Sequence, residues 1–280
     1  MGRTYTLCTL KEYTFVEAAA MIDLHNHILP GVDDGAADIE ESIEIARQFV
    51  SEGVVRIAAT PHLNPERGTG LQAPNVRQKV AELNDALTAR GIDLTVVPGN
   101  ELYLTPDAPE LLEQGAVSPL GDGKTVLVEL ALWAERPPLH LEDTIFRLQL
   151  AGYRPVLAHP ERYPFVQRDT ADIDGWISRG MILQLTAPAL LGEYGRGIRR
   201  TAERLLHSGA YALAGSDRHH PGSNRSLAAL HQRIAELIDA DTADLLLRIN
   251  PERVLSDQPV VQPDVAPEVR SGFIDRLLGR

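Results

Sequence analysis

The chain repeats one pattern: a short apolar run, a loop, then an amphipathic stretch that stops at a glycine. The apolar runs read as strands at Met21–Leu24, Arg56–Thr60, Leu94–Gly99, Thr125–Glu129, Arg154–Ala158, Ile182–Thr186 and Tyr211–Ala214. Between them, apolar residues recur at helical spacing. Ile39, Ile43, Ala46 and Val50 share a face behind a candidate N-cap at Asp38, and that stretch ends at Gly53. Val76, Val80, Leu83 and Leu87 form the next stripe before Gly91. Leu141, Ile145 and Leu148 precede Gly152, Ile173 and Ile177 precede Gly180, and Ile198, Ala202 and Leu205 precede Gly209. Strands and helices alternating in this way predict repeated βα units around a parallel sheet.

With 280 residues, 44% of them hydrophobic, the chain can fill one β/α barrel, a fold that takes roughly 250 residues. The expected division is a single domain at 21–256, an N-terminal extension at 1–20 and a C-terminal tail at 257–280. An ordered strand or cap is the alternative for the first segment. In the tail, 257–269 is rich in Pro, Asp and Val and reads as irregular, and 272–280 as a short helix. A net charge of -12 without Lys/Arg runs argues against binding a nucleic-acid backbone or an anionic membrane. No run is long enough for membrane insertion, and the first residues lack the apolar centre of a signal peptide. Cys8 is the single cysteine, so no intrachain disulfide forms. That agrees with a reducing, cytoplasmic location.

The strand ends change the picture from scaffold to chemistry, because in a β/α barrel functional groups gather where strands give way to loops. His25 and His27 alternate after the first strand, His62 follows the second, and Glu101 the third. Glu129 ends the fourth, His159 the fifth, and Asp217 and His219 follow the seventh. Asp34 lies in the glycine-bounded loop Gly31-Val32-Asp33-Asp34-Gly35. One His-x-His pair carries little weight, since such pairs arise by chance. Burying the whole set unpaired would cost several kcal/mol per group, a cost that metal coordination removes. Imidazole and carboxylate ligands without thiolate suit Zn, Fe or Mn, and carboxylate-rich positions favour Mn or Fe.

Clustered divalent ions suit hydrolysis of phosphate monoesters. Arg162, in His159-Pro160-Glu161-Arg162-Tyr163, is a candidate fork for phosphate oxygens, with an ion pair to Glu161 as the alternative. Cys8 cannot serve a cysteine-dependent phosphatase, which needs Arg six positions on, where this chain has Thr14. His140, His207 and His231 read as surface groups, and His220 as exposed or supporting. Asp33 is expected to orient the loop around Asp34, and Asp23 to support a ligand.

Several motifs resemble the polymerase and histidinol phosphatase (PHP) superfamily, and within it the bacterial manganese-dependent tyrosine-protein phosphatases linked to capsule and exopolysaccharide synthesis. They are Met21-Ile-Asp-Leu-His-Asn-His27, Val32-Asp-Asp-Gly35, Ala59-Thr-Pro-His62, Gly99-Asn-Glu-Leu-Tyr103, Ala158-His-Pro-Glu-Arg-Tyr163 and Gly215-Ser-Asp-Arg-His219. With Asn250-Pro-Glu-Arg253, the resemblance runs from residue 21 to about 255. Other PHP branches tend to place His where this chain has Asp34 and Glu129, which favours the tyrosine phosphatase branch.

The resemblance implies a distorted seven-stranded (β/α)7 TIM-like barrel with three divalent metals in its mouth, Mn foremost, with Fe or Zn as alternatives. His25, His27, Glu101 and Asp217 would hold the first, and Glu101 would bridge to a second that also takes Glu129 and His159. Asp34, His62 and His219 would hold the third. Arg162 would bind the phosphoryl group, Arg225 would be a second phosphate-binding arginine, and His219 or His62 would assist the departing phenolate. The implied substrate is phosphotyrosine in the tail of a cognate bacterial tyrosine kinase that controls polysaccharide export. A PHP phosphatase for a small phosphomonoester such as histidinol phosphate, and a non-catalytic metal-binding regulator, are the alternatives. Assembly as a homo-oligomer is left open.

Overall fold

The computed structural model describes residues 20–223 and 225–265, so the expected extension up to residue 19 and the terminal helix lie outside the described residues. The chain opens with β1 (Met21–Asn26), α1 (Ile39–Ser51) and β2 (Val54–Ala59). Asp38 caps α1 by accepting from the backbone N–H groups of Glu40 and Glu41, both at 3.0 Å. Pro61 has no N–H to continue a ladder, and the chain resumes beyond it as β3 (His62–Asn64), which turns back as β4 (Thr69–Gly70). After α2 (Ala73–Ala89), the third expected strand appears as β5 (Thr95–Pro98), and beyond Gly99 and Asn100 the chain resumes as β6 (Glu101–Tyr103).

Next come α3 (Ala108–Glu113), β7 (Thr125–Glu129), α4 (Leu141–Leu150) and β8 (Arg154–Ala158). A single 3-10 turn at Pro160–Arg162 leads into α5 (Pro164–Arg168) and α6 (Ala171–Ser178), followed by β9 (Ile182–Thr186). The chain continues through α7 (Ala187–Leu190), α8 (Arg196–His207), β10 (Leu213–Gly215), α9 (Leu227–Leu237), α10 (Ala240–Asp244) and α11 (Asn250–Leu255).

The parallel α/β organisation agrees with the sequence pattern, and the strands fall into two sheets. The strands pair in the order β1-β2-β5 in one sheet and β10-β9-β8-β7-β6-β3-β4 in the other, and every pairing except β3 with β4 is parallel. The breaks at Pro61 and at Gly99-Asn100 divide two strands between the sheets. Beyond the paired strands, β1 and β10 meet through Asp217 N–H to His25 O and His27 N–H to Arg218 O, both at 2.8 Å.

A large apolar cluster includes α1, α2 and α4 and the strand faces they cover. A smaller one, including Ile22, Leu24, Ala58, Leu127, Val156 and Leu213, gathers strand residues with Val254 of α11. With side chains alternating at a period of two, Glu129 follows Leu127 and Gln184 follows Ile182 on the same faces, so polar groups stand above this apolar layer. One helical expectation is corrected: Val50 is 38% exposed, and Phe49 occupies the buried stripe instead. Residues 257–265 run against the domain, where Val261 exchanges backbone bonds with the Asn250 side chain and Gln262 donates to the carbonyls of Gly209 and Ala210.

Candidate metal centre

His25 lies within β1 rather than after it, and His27 follows immediately. Each ring is anchored through Nδ1: His25 donates to Gln184 Oε1 at 2.8 Å and His27 to Asp33 Oδ2 at 2.7 Å. These bonds fix the rings and leave both Nε2 atoms turned toward a common cleft. Asp33 also accepts from the N–H of His62 at 3.1 Å and of Gly35 at 3.0 Å, which makes it the orienting residue expected of it. At Gly35 a Cβ would sit 2.0 Å from the His27 carbonyl oxygen, so only glycine lets the loop lie this close to the ligand strand.

Glu101, at the start of β6, is the hub. Its Oε2 is 3.3 Å from His25 Nε2, 3.5 Å from His27 Nε2 and 3.1 Å from His62 Nδ1, while Oε1 is 2.9 Å from His159 Nε2. Asp217 Oδ1 lies 3.6 Å and 3.7 Å from the Nε2 atoms of His25 and His27. Glu129 Oε1 is 3.2 Å from His62 Nδ1. Asp34 Oδ1 faces His62 Nε2 at 3.5 Å and His219 Nε2 at 3.4 Å. All the residues expected from the strand ends therefore converge. Two of them, His159 (φ 37°) and Asp217 (φ 49°), hold left-handed backbone conformations. Such strained positions turn a strand end sharply and are concentrated at functional sites.

Three overlapping groups among the described residues bring donor atoms within ligand range: His27, Asp34, His62 and His219; His25, His27 and Glu101; and His62, Glu101 and Glu129. His27 and His62 each belong to two groups, a looser division than the expected one. The residues fit divalent cations on two grounds. His25 Nε2, His27 Nε2, His62 Nδ1 and His159 Nδ1 are buried without hydrogen-bond partners, and leaving such atoms unmet costs about 1–3 kcal/mol each. The donors are imidazoles and carboxylates, with no thiolate.

The electrostatics agree. Burial opposes charge on His27, but Asp33 and Glu101 outweigh it and push the imidazole up to about 10. His62 is pushed up to about 12, with Glu101 and Glu129 overcoming burial. Burial would raise Asp217, yet His25, His219 and His159 hold it down to about 2. Histidine protons thus offset, in the bare protein, the carboxylate charge that cations would neutralise.

Two arginines stand over the same cleft. Arg162 Nη1 is 3.4 Å from Asp217 Oδ2, and its guanidinium lies 4.5 Å from the centre of the Tyr194 ring. Arg225 donates to the Asp217 carbonyl and, through Nη2, to the Tyr194 hydroxyl at 3.2 Å. The Tyr194 hydroxyl in turn reaches Asp217 Oδ2 at 3.3 Å. The resulting cleft, of about 410 Å³, is lined by these residues together with Leu132 and His220. The alternative partner weighed for Arg162 is corrected: Glu161 is buried and accepts instead from Thr186 N and Oγ1, both at 3.0 Å, and from the Tyr211 hydroxyl at 2.9 Å.

Asp23, as expected, supports rather than ligates, accepting from Ser216 N at 2.8 Å and Ser216 Oγ at 2.6 Å just before Asp217. His140, His207 and His231 stay away from the cleft, although none is fully exposed. His231 pairs with Asp244 at 2.6 Å and His140 meets the Leu104 carbonyl at 3.3 Å. Gln184 and Tyr194 escaped the sequence reading. Gln184 sits mid-strand among apolar neighbours, a buried amide that could have been flagged on polarity alone, whereas nothing local marked Tyr194.

The match to known proteins is extensive. Residues 21–256 match the family model for capsular polysaccharide synthesis, CpsB/CapC. The tyrosine-protein phosphatase YwqE of Bacillus subtilis (strain 168) is 31% identical over 251 residues, which is 89% of this chain and 97% of that protein. The tyrosine-protein phosphatase CpsB of Streptococcus pneumoniae is 28% identical over 250 residues, 85% of this chain and 99% of that one. A crystal structure from work on YwqE and CpsB as unique metal-dependent tyrosine phosphatases superposes with a TM-score of 0.82 at 30% identity, covering 89% of this chain and 100% of the other. The chain belongs to the CpsB/CapC family of capsular polysaccharide synthesis, and the relatives named here are tyrosine-protein phosphatases.

Proposed function

We propose that this protein is a metal-dependent phosphotyrosine phosphatase that acts in the cytoplasm on the tail of a cognate bacterial tyrosine kinase and so regulates capsule or exopolysaccharide synthesis. The observation that carries the reading is Glu101: one buried carboxylate faces four histidines, beside a rim bearing two arginines. On this reading the two sheets are halves of one distorted seven-stranded barrel, and three divalent ions, Mn foremost, occupy its mouth. His25, His27, Glu101 and Asp217 would hold one ion, Glu101, Glu129 and His159 a second, and Asp34, His62 and His219 a third. When bound, such ions polarise phosphoryl oxygens and make water acidic enough to attack at neutral pH.

The chain's own groups do the rest. Arg162 stays charged because Asp217 overcomes the effect of burial, and its planar fork binds two phosphoryl oxygens. Arg225, braced by Tyr194, contributes a second cationic contact. His219 or His62, both on the open side beside Asp34, assists protonation of the departing oxygen through water. Phenolate needs little help, since its conjugate acid has a pKa of about 10.

The deciding experiment is phosphate release from a phosphotyrosine peptide and from histidinol phosphate, after chelation and after adding back Mn, Fe or Zn singly. Loss of peptide turnover on chelation and its return with Mn is the expected result. Preference for histidinol phosphate would replace the substrate class, and inactivity with every metal would favour a binding role.

A further inference from the structure

Two loops rise directly from metal-centre strands and meet outside the cleft. One follows β3, three residues of which begin with His62, and carries Arg67 in the turn toward β4. The other follows Glu129 and carries Leu132, which lines the cleft, and Trp133 beside it. The Arg67 guanidinium lies 5.6 Å from the centre of the Trp133 ring. Trp133 is nonetheless 67% exposed, whereas the other tryptophan, Trp176, is 3% exposed. Among the described residues no carboxylate forms an ion pair with Arg67. Tyr103, raised first by burial, also feels the charges of Glu66, Glu129 and Arg67, which places the pair near the mouth of the site with Glu66 beside it.

The Trp133–Arg67 pair bridges the two loops, yet the indole stays 67% exposed and the guanidinium has no ion-pair partner among the described residues. The pair provides a flat apolar face and a free cation next to the phosphoryl-binding rim. Complementarity to the Arg67 guanidinium points to an acidic partner residue. With a net charge of -12 the protein repels an acidic polypeptide at long range, so attraction has to come from cations placed at the mouth. Arg162 and Arg225 face inward to the cleft; Arg67 stands outside it.

We infer that Trp133 and Arg67 form a docking platform for the polypeptide on either side of the phosphotyrosine, with an acidic side chain on Arg67 and an aromatic or aliphatic one on Trp133. This rests on the phosphatase reading and extends it from the reacting group to the flanking sequence. Selection for a protein substrate then lies on the two loops, and a small aryl phosphate, which reaches only the cleft, does not sense them.

The test compares the Mn-loaded wild type with Trp133→Ala and Arg67→Gln on three substrates: p-nitrophenyl phosphate, a phosphotyrosine peptide with acidic and aromatic flanks, and the same peptide with Gly/Ser flanks. Either substitution is expected to lower kcat/KM for the first peptide roughly tenfold, through KM. Constants for p-nitrophenyl phosphate should stay within about twofold, and the Gly/Ser peptide should lie between. Equal changes on all three substrates, or none on any, would overturn the platform. Peptide binding is read independently from the fluorescence of Trp133 in a Trp176→Phe background. A protein that hydrolyses nothing but binds the acidic peptide with Trp133-dependent affinity would remove the phosphatase reading and keep the platform. Absence of both hydrolysis and binding would remove both.

Discussion

Arg218 donates to Glu52 Oε1 at 2.5 Å, a largely buried ion pair that joins the end of α1 to the loop between the candidate ligands Asp217 and His219. Arg218 is 1% exposed and lies over Phe49, 4.4 Å from the ring centre. The same guanidinium donates to the Arg225 carbonyl at 3.0 Å, and Glu52 Oε2 accepts from the N–H of Leu227 at 2.7 Å. One pair therefore ties down the segment that presents Asp217, His219 and Arg225. Breaking a buried pair from one side leaves an uncompensated charge and costs about 3–5 kcal/mol. Glu52→Gln should lower unfolding stability by an amount of that order, read by urea denaturation of the chelated protein. An unchanged midpoint would mean that solvent already compensates Arg218.

Asp33 offers a separate handle on the metal centre, because it touches His27 and the His62 backbone without entering the cleft as a ligand. Groups that orient metal-binding histidines commonly govern affinity by about 10–100-fold. Asp33→Asn keeps the shape and removes the charge, so metal affinity should fall by about tenfold at the low end of that range. Activity at saturating Mn should recover most of its value. Titration of the chelated variant with Mn checks both, and unchanged affinity would show that Asp33 serves only the loop.

How much of this was legible beforehand follows from the range of each interaction. The βα alternation and the ligand types were readable because apolar period and polar strand ends are local properties of the chain. Pro61 lay in plain view, yet its consequence, a strand divided between two sheets, depends on which neighbours pair on each side. Arg162 was correctly drawn to the cleft, but its alternative partner Glu161 turns to Thr186 and Tyr211, contacts with residues distant in sequence. Tyr194 and Glu52 were invisible for the same reason: each acquires its role only when α7–α8 or the end of α1 packs against the loop after β10. Val50 and Phe49 were adjacent claimants to one helical stripe, and packing chose the larger ring.

The histidines give the metal-free protein a pH dependence opposite to that of metal binding. His27 and His62 stand at about 10 and about 12 in the folded chain, against about 6.5 when unfolded. A folded state that holds the proton more tightly gains stability that is complete below about pH 6.5 and is lost as pH rises toward the folded values. His62 contributes less than its shift suggests, because a third of its side chain meets solvent. Cations require the same nitrogens deprotonated, so the stability they add grows with pH. The Tm difference between Mn-loaded and chelated protein should therefore widen between about pH 6 and about pH 8.5. A gap that narrows over this interval would contradict ligation through these rings.

Arg162 and Tyr194 separate charge from geometry at the phosphate rim. The guanidinium stacks on the tyrosine ring 4.5 Å from its centre while the hydroxyl contacts Asp217 and Arg225. Arg162→Lys keeps the charge but loses the planar fork and the stacking, which a flexible ammonium does not replace. Tyr194→Phe keeps the ring and loses only the hydroxyl contacts. If Arg162 binds the transferring group, Lys should reduce kcat/KM by about 100-fold, worth close to 2.7 kcal/mol of transition-state stabilisation. Metal content should be unchanged. Phe should cost less, about three- to tenfold, since Arg162 keeps its stacking surface and only the hydroxyl contacts to Asp217 and Arg225 are lost. Steady-state kinetics on a phosphotyrosine peptide, paired with metal analysis of each preparation, distinguishes the two effects. A Phe variant as impaired as the Lys variant, with metal retained, would move the chief phosphate contact from Arg162 to the Tyr194–Arg225 pair.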